Sequence, residues 1–132
     1  MIRVLKQSGR ALFSVMTLWG GVYEFLPDIL ALAPEENTEI TRTGDLHPDT
    51  FNQCDHRCHT FRAQKLQALL EESGATVLTM SGSNCLSAEG GDRLAEVRED
   101  PPRWQEPLRQ GVEACREPGC VDMGTHLIAV VR

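Results

Sequence analysis

The 132-residue sequence predicts an α/β fold, and three observations predict it. One short, mostly apolar run, Ala11–Met16, has the composition of a strand covered on both faces, and a second, 125–131, reads as a buried final strand. A third run, 75–80, is rich in β-branched and apolar residues. Between the runs lie stretches whose apolar residues recur at helical spacing. Strand and helix patterns therefore alternate, the order that builds layered α/β domains.

In chain order, residues 1–7 read as the last turns of a helix, stopped by Ser8-Gly9. A helix directly before a buried strand is the second half of a βαβ crossover, so the sequence is expected to open in mid-fold. Gly20-Gly21 is expected to break the chain after the Ala11–Met16 strand. A short irregular helix carrying Pro27 then follows over 22–32. From 33 to about 59 the composition turns polar, and a long surface excursion is expected there. Thr60 is the expected N-cap of the next helix. In that helix Ala63, Leu66, Leu69 and Leu70 share a face, and Gly74 closes it. After the 75–80 strand come a loop over 81–88 and a charged, exposed stretch over 89–100. Pro101-Pro102 opens a further helix, with Pro107 in its first turn. Trp104, Leu108, Val112 and Cys115 form its expected core face. Glu117-Pro118-Gly119 ends it, and the 125–131 strand follows, parallel or antiparallel.

Composition excludes several functions. Thirteen basic residues against 19 acidic ones give a net charge of −6. The basic residues are scattered rather than clustered, so no nucleic-acid surface is expected. The apolar run after Arg10 is far shorter than the roughly 20 residues a membrane span needs. Glu24, Pro27 and Asp28 interrupt it too early for a signal peptide. Five cysteines, an odd number without regular spacing, fit reduced thiols and a cytoplasmic location.

Arg3-Val4-Leu5-Lys6 with Gly9, then Thr43-Gly44-Asp45 and His56-Arg57-Cys58-His59-Thr60-Phe61-Arg62, form an ordered series. It continues through Ser73-Gly74-Ala75, Ser83-Asn84-Cys85-Leu86-Ser87, Trp104, Glu113, Cys115-Arg116-Glu117-Pro118-Gly119 and Asp122-x-Gly124-Thr125-His126. In this order and spacing the whole chain, 1–132, resembles the C-terminal, substrate-side half of a class I S-adenosylmethionine-dependent methyltransferase (type 11/12-like). Gln7 and Ser8 depart from the family's pattern. The resemblance implies a partial Rossmann-like fold without its N-terminal strands. It implies that the last strand lies antiparallel, inserted beside Ala11–Met16. It also implies methyl transfer from S-adenosyl-L-methionine to a small-molecule acceptor. The family's Gly-rich cofactor turn has no counterpart here, since neither Gly20-Gly21 nor Gly90-Gly91 joins a leading strand to an amphipathic helix. The chain alone is therefore expected to bind no cofactor and to be inactive. It is also expected to expose a sheet edge that self-associates; the alternative expectation is a non-catalytic interaction module that pairs with a separately encoded cofactor-binding half.

The resemblance puts Trp19, Tyr23, His56, His59 and Arg62 on the substrate side. Trp19 and Tyr23 follow the strand whose end should face the acceptor, where flat amphipathic rings grip ligands; core packing serves equally for Trp19. His59 is the candidate general base, by virtue of an ordinary pKa near 6.5, although a loop-ordering role suits it as well. His126 reads as structural. Cys54-Asp55-His56-Arg57-Cys58-His59 is the densest set of soft ligands. A small zinc module needs four such groups in tetrahedral array, and no second pair stands at finger-like spacing. Cys58 is therefore read as a small hydrophobe, with no metal site expected.

Overall fold

A computed structural model describes residues 6, 8–49, 56–88 and 91–132. The apolar segment His-Leu-Ile-Ala-Val-Val becomes a central strand, β5 (His126–Val131), between β1 (Ala11–Met16) and β4 (Val77–Ser83). Both neighbours pair with it antiparallel, Ala11 opposite Val131 on one side and Ser83 opposite His126 on the other. The last strand is thus antiparallel to Ala11–Met16, as expected. β1 and β4 consequently run parallel to each other and end at the same end of the sheet.

Alternation along β5 sends Leu127, Ala129 and Val131 to one face, where each is fully buried. Helix α4 (Ala63–Glu72) covers that face with Leu66 and Leu70, joined by Ala75 and flanked by Phe13, Val15, Val77 and Met80. Burial of a Leu or Val side chain contributes about 1.5–3 kcal/mol, so the α4–β5 interface dominates cohesion. On β1 the intervening positions, Leu12 and Ser14, point the other way and are exposed; Leu12 retains 66% of its surface.

After β1 the chain enters α1 (Leu18–Glu24), α2 (Leu26–Leu30) and α3 (Pro34–Thr43). Gly20-Gly21 therefore does not break the chain but lies inside α1. A Cβ on Gly20 would strike the Gly124 carbonyl and one on Gly124 the Ser83 backbone, so glycine serves close approach here. The polar excursion contains a regular helix. In α3, Pro34 stands at the first position, Glu36 bonds back to the Ala33 N–H, and Gly44 (φ 84°) closes the end. Only Ile40 of this helix is buried, which is why its pattern was hidden. A two-residue pairing of β2 (Asp45–Leu46) with β3 (Cys58–His59) spans the excursion's base.

Other expectations change. Thr60 is buried and donates its hydroxyl to Gly44 O (2.9 Å); the residue at the N-cap of α4 is Arg62. Strand β4 runs on to Ser83, so the 81–88 loop shrinks to a turn after it. The charged stretch holds a helix, α5 (Gly91–Arg98). Helix α6 (Pro101–Ala114) begins at Pro101 as expected, capped by Asp100 on the Arg103 N–H, and Pro107 falls in its interior rather than its first turn. Its predicted core face is not core: Leu108 and Val112 are exposed, while Trp104 and Cys115 are half-buried. Arg98 stacks over the Trp104 ring instead. A short α7 (Pro118–Val121) leads back to β5. His126 is exposed and hydrogen-bonded to the Thr125 hydroxyl (3.2 Å). The helix end expected over 1–7 lies outside the described residues apart from Lys6, whose carbonyl closes a turn on Gly9 N–H. Among the described residues no helix is long and apolar enough to cross a membrane.

Candidate functional site

Because β5 runs against its neighbours, its amino end meets the carboxyl ends of β1 and β4. Four segments are tied together there. Thr17 N–H donates to Thr125 O (3.2 Å), and its buried hydroxyl bonds the Gly124 carbonyl. Phe61 N–H donates to Met16 O (2.8 Å), and Leu18 N–H to Phe61 O (2.9 Å). Asp122 completes the junction. Its carboxylate accepts from the Ala63 N–H (2.6 Å) at the start of α4, and its carbonyl accepts from the Gly20 N–H (3.1 Å). An anion at a helix N-terminus satisfies an orphan donor and complements the helix dipole.

Against this junction the last turn of α3 faces the first turn of α4. Thr60 N–H holds Gly44 O (2.7 Å), and a Cβ on Gly44 would collide with Thr60 O, so the two walls lie close. Between them is a cleft of about 250 Å³, floored by Leu18 and Thr60 and walled by Thr41, Arg42, Thr43, His59, Arg62 and Lys65. It opens into a groove of about 440 Å³ past Asn37 and Thr38. Among the described residues no carboxylate lines the cleft.

The Arg62 guanidinium is fixed from two sides. It donates to Thr41 O (2.6 Å) and stands 5.2 Å from the centre of the Trp19 ring, within cation–π range. Among the described residues its buried Nε–H has no partner. Arg42 is engaged by a fork to Glu39 (2.6 and 3.0 Å), and that hydrogen bond holds the exposed Glu39 carboxyl below its ordinary value. Among the described residues neither Arg62 nor Lys65 forms an ion pair. His59 shares a hydrogen bond through Nδ1 with Asp45 Oδ1 (2.7 Å), and its ring meets Phe61 edge-on. Holding Nδ1 leaves Nε2 as the nitrogen that can take a proton.

Of the residues predicted for the substrate side, Trp19, His59 and Arg62 come together here. Tyr23 lies one turn beyond Trp19 on α1, half-exposed and outside the cleft lining, and His56 is exposed ahead of β3. Sequence reasoning missed Arg42, Asp45 and Lys65. Lys65 could have been found, since it stands three residues after Arg62 on one helix face. Asp45 carried no signal, because its pairing with His59 comes from the β2–β3 register.

Of the soft-ligand cluster, Cys54 and Asp55 lie outside the described residues. Among the described residues no three His, Cys, Asp or Glu side chains gather to hold a metal. Cys85 and Cys115 approach to 3.3 Å between sulfurs, as free thiols. Burial first, and the hydrogen bond with Cys115 second, push the Cys85 thiol up to about 12. The sequence matches no protein-family model and no curated protein.

Proposed function

We propose that this chain is the acceptor-binding side of a class I S-adenosylmethionine-dependent methyltransferase acting on a small molecule. One observation carries the reading: an antiparallel last strand lies between two parallel strands, with a polar cleft beyond the carboxyl end of β1. Ligands of open α/β sheets sit beyond the carboxyl ends of parallel strands.

The chain's own residues do not fit the cofactor. Gly20 and Gly21 lie within α1, and the Gly20 backbone is packed against Gly124, so neither offers an open turn to a ligand. Cofactor contacts belong to a separate strand–Gly-rich turn–helix unit, paired along the edge of β1 that faces away from β5. In this arrangement Arg62 and Lys65 hold the acceptor. His59, oriented by Asp45, takes the acceptor's proton on Nε2. The described cysteines are free thiols, which accords with a cytoplasmic setting for the same proposal.

The test is to sequence the DNA adjoining the reading frame, co-express any such unit with this chain, and follow labelled methyl from S-adenosylmethionine into small molecules. Transfer by the pair, reduced on the order of 100-fold by His59→Gln, is expected. A locus without such a unit, or a pair that binds no S-adenosylmethionine, overturns the proposal.

A further inference from the structure

We infer that the cleft between α3 and α4 is a binding site for a small oxyanion, a carboxylate or phosphate. This names the substrate class of the site proposed above and rests on that reading for its role, though not for its binding.

The first observation is electrostatic. In a chain of net charge −6, three of the 13 basic residues line one cleft that, among the described residues, no carboxylate lines. Glu39 answers Arg42 from outside it and Asp45 bonds His59, while among the described residues Arg62 and Lys65 have no ion-pair partner. A concave site lined by one sign of charge concentrates counter-ions.

The second is the state of Arg62. Thr41 O and the Trp19 ring fix its guanidinium, which among the described residues meets no carboxylate. A guanidinium held in place matches an oxyanion geometrically as well as in charge.

Titration of the isolated chain with malate, succinate and inorganic phosphate, each in low and high salt, tests this by calorimetry and backbone amide shifts. Saturable binding at one site is expected, weakened by salt, with amide shifts centred on residues 41–44 and 59–65. Lys65→Gln, at an exposed position, and Arg62→Gln should each weaken binding at least tenfold. Preference for malate over phosphate assigns a carboxylate, and the reverse preference assigns a phosphate ester. Absence of saturable binding by all three probes, or binding unchanged by both Lys65→Gln and Arg62→Gln, overturns the inference. Since no cofactor is present, a chain that binds malate but whose paired form transfers no methyl group refutes the methyltransferase reading alone.

Discussion

The Asp122 carboxylate is where fold and cleft share one bond, so Asp122→Ala is the most informative single change. The carboxylate reaches across 59 residues of sequence to the Ala63 N–H at 2.6 Å, capping the helix that carries Arg62 and Lys65. No side chain of α4's own N-cap makes such a bond, because Arg62 occupies that position. Loss of a helix cap costs about 0.5–2 kcal/mol, and charged acceptors lie in the upper part of that range. With a urea slope of roughly 1–3 kcal/mol per molar, the unfolding midpoint should fall by about 0.5–1 M. Asp122→Asn keeps an oxygen acceptor and loses only the charge at the helix end, worth about 0.3–1 kcal/mol, so its midpoint should lie between the two. Urea unfolding of the three proteins followed by circular dichroism decides it, with hydrogen exchange at Ala63 reporting the local opening. An Asp122→Ala protein that unfolds at the wild-type midpoint and protects Ala63 equally refutes the capping argument.

Leu127, fully buried at the centre of the sheet, should lose about 3–5 kcal/mol on replacement by Ala, read as a large fall in the denaturation midpoint. Cys85, whose thiol burial pushes up to about 12, should resist alkylation at pH 8 in the folded chain and react once unfolded. Its folded value lies above its unfolded one, so the stability it contributes is fully present below about 9. That contribution is lost as pH rises from there toward 12, which Cys85→Ser should abolish in unfolding curves taken at neutral and alkaline pH. Strand β1 presents an unpaired edge among the described residues and an exposed Leu12, so the chain alone should self-associate in sedimentation. Leu12→Lys should reduce that association, and a wild-type chain that stays monomeric at every concentration removes the argument from the edge.

Segments whose own side chains decide their structure were legible in the sequence. β1 matches its predicted bounds, and α4 and β5 differ only at their ends, because each carries the apolar period of its element and buries it. Helix α3 was not legible, because a helix that buries only Ile40 has no apolar stripe to display. Its Pro34 and Gly44 were the available signals. The Gly20-Gly21 break failed for the opposite reason. Glycine in a helix costs roughly 1 kcal/mol, and here the close approach of Gly124 requires that cost at Gly20. In α6 the pattern was real and the burial was not: Leu108 and Val112 are spaced for a core they do not enter. Within the site, Arg62 and His59 were found through their neighbours in sequence. Asp45 and Arg42 depend on register and on a hidden helix, which local sequence does not encode.

The position of the cleft follows from strand order. Had β5 lain parallel to β1, its amino end would sit at the far end of the sheet, and Thr125 could not accept from Thr17. With β5 antiparallel, Gly124 and Asp122 arrive beside the chain leaving β1, and both are used at once: Gly124 against Gly20, Asp122 against Ala63. The start of α4 is thereby fixed to the start of α1, and Trp19 on one helix comes within 5.2 Å of Arg62 on the other. Helix α3 then has one docking choice, with Gly44 set by Thr60, and that choice brings Thr41 O to the same guanidinium. Two contacts from two elements hold Arg62, and among the described residues no carboxylate pairs with it or with Lys65. Two cations left without a counter-charge beyond the carboxyl end of β1 are the physical reason to look for an anion there.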